Sequence, residues 1–176
     1  MNKQISKPRF FTVLLMVLTA AALRLLPHYP NFTPVAAMAL FGGAYFSNKK
    51  IAFLIPISAM LISDLILGFH STMWAVYLSF SLIVIIGLSL KNSKKISSIF
   101  LASISSSVLF FIITNFAVWI SGGIYPLNFL GLGECYTAAI PFFHYTMLGD
   151  LFYVGVFFGA FEFMQYKFPV LAETNA

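Results

Sequence analysis

Few side chains in this sequence can do chemistry, and seven of them stand where an apolar chain has reason to avoid them. Arg24 and Asp64 lie near the ends of apolar runs, and Asp150 lies about nine residues into the last one. An ionised group inside such a run needs a partner, wet backbone or a cavity. Asn115 and Trp119 are four apart on one helical face, Asn31 follows Pro30 in a segment broken by prolines, and Glu134 stands in a stretch rich in Gly, Pro and Tyr. A cation, three carboxylates, two amides and an indole suit non-covalent recognition of a small planar organic molecule, by stacking and a few hydrogen bonds. In that reading Arg24 meets the electronegative part of the ligand and Asp64 positions Arg24. Trp119 stacks, Asn115 reads an edge, and Asp150 takes a donor or responds to protonation. The same residues also admit a plainer reading, with Arg24 and Asp64 as a salt bridge pinning two helices and the aromatics as an interfacial belt.

Two other chemistries can be written from these residues. His28, His70, His144 and Cys135 carry imidazole and thiolate groups that suit nickel, cobalt or zinc, as a metal permease would need, but they form no compact ligand motif. Cys135 with His144 is the one nucleophile and base pairing worth naming, and no third group stands near to orient the base. We therefore expect no enzyme, no catalytic residue and no resident cofactor or metal.

Composition narrows the setting. Of 176 residues 60% are hydrophobic and only 9% charged, more apolar surface than a soluble domain of this size can hide. The net charge of +5 is no nucleic-acid signal, because nine of the ten Lys and Arg residues sit in short breaks between apolar runs. One cysteine excludes an internal disulfide and a cysteine-based zinc site. The expectation is an all-α, polytopic membrane protein built as a single domain, residues 1–176.

The elements that must position the seven residues follow from the apolar runs. A basic tail, 1–9, precedes a run over 10–26; this start and Ala20-Ala21-Ala22 also fit a signal peptide, but Arg24 and Pro27 read better as the end of a retained helix. The segment 27–33 is Pro-punctuated and extended. It leads into a short helix from Pro34, capped by Thr33, that ends by Asn48 and covers only about 22 Å of a bilayer core about 30 Å thick. Non-helical backbone at that depth must face protein or water, so 27–33 should line a cavity. Further spans are expected at 51–69, 73–90, 96–121 and 139–166, with a loop over 122–138. That makes six membrane-embedded helices. With the N-terminus inside, Lys3, Lys7, Arg9, Lys49, Lys50, Lys91, Lys94, Lys95 and Lys167 all fall on the cytoplasmic side, so both termini are expected there. The unusual polar residues then gather towards the outside, and the inner half is comparatively bland. Small residues at Gly155 and Gly159 offer a packing strip, for another helix of the chain or for a partner.

Arg24-Leu25-Leu26-Pro27, Asn31-Phe32-Thr33-Pro34-Val35 leading into Leu40-Phe41-Gly42-Gly43, and Ser63-Asp64 near the end of a third helix resemble the substrate-binding S components of energy-coupling factor transporters. With Thr114-Asn115-Phe116-Ala117-Val118-Trp119 and Gly149-Asp150-Leu151, the chain looks most like an uncharacterised bacterial membrane family related to them. The resemblance covers about residues 23–162. It implies a six-helix fold in the bacterial cytoplasmic membrane and an outward-facing site for a vitamin-like micronutrient. It also implies energy from a separate transmembrane coupling subunit and ATPases, since the chain has no P-loop of its own. Where S components commonly show small residues four apart on helix 1, residues 11–18 are bulky apart from Thr12, which leaves open another partner or none.

Overall fold

In the computed structural model, residues 6–27 and 29–172 are described. Among them the α-helices are α1 Lys7–Leu23, α2 Val35–Tyr45, α3 Lys49–Leu67, α4 Met73–Ser89, α5 Ile96–Ser121 and α6 Phe129–Lys167, with short 3-10 turns at Leu90–Asn92 and Pro169–Leu171. Four helical segments are long and apolar enough to cross a membrane: α3, α4 with its 3-10 extension, α5 and α6. Their outer faces present bare Leu, Ile and Phe, such as Leu65, Ile66, Phe100 and Leu101, a surface that fits lipid and not water. The chain is a membrane protein.

Helix α2 is the middle of the bundle. All 11 of its residues are buried, and it touches each of the other five helices. Its sequence explains this: a helix apolar on every side has no face to offer water and ends up enclosed. It is also slim. Ala36, Ala37, Ala39, Gly42, Gly43 and Ala44 let neighbouring backbones come close, the packing device that replaces the hydrophobic effect inside a bilayer. A methyl group on Gly43 would lie 2.5 Å from the Val84 carbonyl oxygen, and one on Gly87 2.5 Å from that of Leu40, so α2 and α4 cross backbone to backbone. On another side Gly42 receives the ring of Pro56, the proline inside α3, whose Cγ would be 2.6 Å from an added Cβ.

Several boundaries differ from the sequence reading. Helix α1 begins earlier, because the Ser6 side chain caps it by accepting from the Arg9 N–H at 3.4 Å and Pro8 fits its first turn. Lys7 and Arg9, expected in a basic tail, are thereby helical. Helix α2 begins at Val35; Pro34, not Thr33, takes the cap position, and no side chain caps it. The largest change is α6, which has 39 residues and absorbs most of the expected loop 122–138. Asn128 caps it by accepting from the Gly131 N–H at 2.9 Å, and Gly131 is needed because any Cβ there would strike the Pro126 carbonyl. Gly133 and Pro141 lie inside the helix without ending it. Gly155 and Gly159 have nothing within 4 Å of an added Cβ, so their strip faces outwards from the bundle.

Two ends can be distinguished. The terminal end gathers Ser6, the α2–α3 link, the α4–α5 link and the C-terminal 3-10 turn: Ser6 Oγ donates to the Val170 carbonyl at 2.7 Å, and Lys91 Nζ to that of Ser47 at 3.0 Å. The opposite end carries the α1–α2, α3–α4 and α5–α6 links. The terminal end is knotted by polar groups. Arg9 is only 2% exposed; its Nη1 donates to the Leu171 carbonyl at 2.6 Å, and its guanidinium lies 5.7 and 5.4 Å from the ring centres of Tyr45 and Phe161. Tyr45 in turn donates to Glu162 Oε1 at 2.9 Å. One buried cation thus ties α1 to α2, α6 and the C-terminal turn.

We predict that Gly43→Leu forces α2 and α4 apart and costs at least about 3 kcal/mol, seen as loss of folded protein or a large fall in thermal stability in detergent. Gly159→Ala, on the open strip, should leave stability unchanged or raise it by up to about 1 kcal/mol. Equal effects of the two changes would refute the close crossing.

Candidate functional site

The seven candidate residues fall into three places at or towards the opposite end. The first is the tightest. Arg24 closes α1 as its C-cap, its N–H still bonded to the Ala20 carbonyl, so the side chain leaves the helix just where the chain turns away. Asp64, on the last turn of α3, pairs with Arg24 Nη1. The same Nη1 lies 2.6 Å from Ser63 Oγ, whose own proton goes to the Met60 carbonyl at 2.8 Å. The second Asp64 oxygen accepts from the Tyr77 hydroxyl on α4 at 2.7 Å. Asp64 is buried, 3% exposed at its side chain, while Arg24 keeps 15%.

The consequence lies in the donors. A guanidinium has five N–H groups in a fixed fork. Among the described residues Nη1 takes the acceptors, and neither Nη2 nor Nε is given one. The carboxylate, braced by Tyr77, engages the guanidinium through Nη1 alone.

Asn31 and Asp150 make the second place. The α1–α2 link is not extended throughout: the Phe32 N–H returns to the Tyr29 carbonyl at 3.0 Å, and Asn31 takes φ 62°, a left-handed conformation that Asn tolerates better than most residues. The turn is pressed onto α6. Phe32 packs on Phe152 and Tyr153 with ring centres 5.6 and 5.5 Å apart, Tyr29 lies over Tyr145 at 4.5 Å, and a Cβ on Gly149 would come within 3.0 Å of Phe32 Cα. Gly149 is thus the seat of the link, and Asp150 is its neighbour. Asp150 is 3% exposed. Ser107 Oγ stands 2.6 Å from its Oδ2 and 3.1 Å from the Ser103 carbonyl; having one proton, the hydroxyl gives it to the nearer carboxyl. With α6 starting at Phe129, Asp150 lies well inside the helix, not nine residues from its start.

The third place is the α5–α6 hairpin. Asn115 bonds its own helix, Nδ2 donating to the Phe111 carbonyl at 2.8 Å, and Cys135 Sγ reaches the Asn115 carbonyl at 3.4 Å. The Trp119 indole N–H ties down the α5–α6 link through the Pro126 carbonyl at 2.9 Å. Glu134 is on α6 and not in a loop. It lines an open groove of about 660 Å³ with Tyr125, Phe129, Leu130 and Thr137. The structure brings Arg24 to Asp64, seats the link that carries Asn31 on Gly149, and turns Asp150 towards Ser107 of α5. It does not gather all seven around one point.

Two participants lie outside the seven candidates. The Tyr77 hydroxyl completes the Asp64 shell, and its place one turn into the next helix is the signal the sequence offers. Ser107 reaches Asp150 from the serine-rich α5. Of the metal candidates, His28 lies outside the described residues, His70 Nδ1 is 3.0 Å from Thr72 Oγ1, and His144 lies against the Tyr145 ring. No group of three or more His, Cys, Asp or Glu that could hold a metal ion occurs among the described residues.

We predict that Arg24→Leu costs about 2–3 kcal/mol, somewhat below the value for a fully buried pair because the guanidinium is partly exposed. Tyr77→Phe should cost about 1 kcal/mol. The double variant Arg24→Leu/Asp64→Leu should recover most of the Arg24→Leu loss in unfolding titrations, and strict additivity would show that the two side chains are not coupled.

No curated protein and no solved structure matches this chain. A relationship to the energy-coupling factor S components is accordingly not shown by these comparisons. A family profile does match, over residues 4–171, nearly the whole length. The chain belongs to DUF6580, a family of unknown function.

Proposed function

We propose that this protein binds a small organic micronutrient of vitamin-like size and serves its uptake, in the manner of an S component. Six helices are embedded, including the short α2. Both termini lie in the cytoplasm, so that the opposite end faces outwards and the Arg24 cluster meets solute from outside the cell. The distribution of charge supports this orientation: every described lysine is at the terminal end.

The observation that carries the reading is the half-used guanidinium of Arg24. A salt bridge that served only to pin α1 to α3 would gain from satisfying the whole fork. Here Asp64, Ser63 and Tyr77 fix one edge and leave Nη2 and Nε free among the described residues, at a side chain that is 15% exposed. A ligand carboxylate, phosphate or polarised carbonyl is the natural complement. The α1–α2 link, which among the described residues meets α6 through tilted ring contacts and a long Tyr29–Tyr145 hydroxyl hydrogen bond at 3.4 Å, is suited to lift and reseat as the ligand passes. Asp150, next in the chain to the Gly149 seat, would respond to that movement. A transmembrane coupling subunit with ATPases would supply the energy.

The test is mass spectrometry of small molecules released from protein purified in mild detergent. The wild type should carry an organic ligand with at least one anionic or strongly polar oxygen group. Arg24→Lys, which keeps the charge but loses the fork, should reduce its occupancy at least about tenfold while the protein still elutes as a folded species. Full occupancy in Arg24→Lys, or a folded wild type that neither retains nor takes up any such ligand, would defeat the proposal.

A further inference from the structure

The terminal end holds a second cavity, unconnected with the Arg24 cluster. It has a volume of about 530 Å³ and is lined by Lys7, Phe10, Phe11, Phe46, Ser47, Asn48 and Ile51. Its wall is aromatic: Phe10 meets Phe11 edge-on at 5.6 Å and leans on the buried Phe46 at 5.7 Å. Its mouth is open along the outer surface, where Phe11 is 62% exposed. Such an apolar slot between α1 and α3, in a membrane protein, is bordered by lipid.

Its polar rim has one sign. Lys7 lines it, and the first turn of α3 adds Lys49, Lys50 and the backbone N–H groups of a helix start, with Asn48 as cap. Among the described residues no carboxylate pairs with Lys7, Lys49 or Lys50. The whole end is similar: among the described residues it holds Arg9 and every lysine, against one carboxylate, Glu162. An apolar slot open to acyl chains, closed at the membrane surface by unpaired ammonium groups and a helix N-terminus, has the chemistry of a phospholipid with an anionic headgroup.

We infer that the α1–α3 slot is a binding site for an anionic phospholipid. The phosphate lies between Lys7 and the first turn of α3, and an acyl chain runs over Phe10, Phe11 and Ile51. This differs from general attraction of a basic end to a membrane, which would depend only on how many lysines remain.

The experiment compares dioleoylphosphatidylglycerol with dioleoylphosphatidylcholine, added to delipidated protein in neutral detergent, and reads bound lipid by native mass spectrometry. The wild type should prefer the anionic lipid by about tenfold at the first bound molecule. Lys7→Gln/Lys49→Gln should bring that preference within about twofold of parity. Lys95→Gln/Lys167→Gln removes the same charge from the same end, away from the slot, and should keep it. Phe11→Ala should weaken binding of both lipids. Equal loss in the two lysine pairs would replace the site by diffuse surface attraction, and absence of any preference in the wild type would dispose of it.

Discussion

Everything in this bundle depends on a short helix that no solvent reaches. Inside a bilayer the hydrophobic effect does little to press helices together, since lipid chains are as apolar as leucine. What remains is close packing, and α2 obtains it by being narrow. At Gly43 and Gly87 the α2 and α4 backbones occupy the space where side chains would stand, and at Gly42 the ring of Pro56 fills the missing volume. A proline within a spanning helix is thus tolerated where its neighbour has left room for it.

An 11-residue helix spans only about 16 Å, roughly half of a hydrocarbon core. The shortfall has to be made good at one of its ends. At the terminal end the polar network of Arg9, Tyr45 and Glu162 reaches in from the surface. At the opposite end the α1–α2 link descends to meet the helix, folding through Asn31 and resting on Gly149 by stacked rings. The described part of the link meets α6 through tilted rings and a Tyr29–Tyr145 hydroxyl hydrogen bond at 3.4 Å. The terminal end is tied instead by a buried cation.

The polar residues reflect the same division. Arg24, Ser63, Asp64 and Tyr77 bring three helices to one point and satisfy a carboxylate completely while leaving a cation only half engaged. Asp150 is enclosed between α5 and α6 with a serine for company. Asn115 and Trp119 are largely occupied with their own hairpin. The proposed function rests on that unevenness, because a fully bonded network has nothing left to offer a guest.

The sequence alone determined the membrane setting, the order of the helices and the shortness of α2, since these follow from local runs of apolar residues and the charges and prolines that interrupt them. It also marked Arg24 and Asp64, because an ion in an apolar run is conspicuous wherever it falls. It misjudged the start of α6, where Gly131 and Gly133 read as loop residues but the Asn128 cap and the packing of Gly131 on Pro126 carry the helix through. It also took Arg9 for a solvated tail. Only the tertiary structure decided that Arg9 is buried, that Tyr77 reaches Asp64 and that Phe32 rests on Gly149. Those facts depend on which faces meet between helices distant in the chain, and no local pattern encodes a meeting of faces.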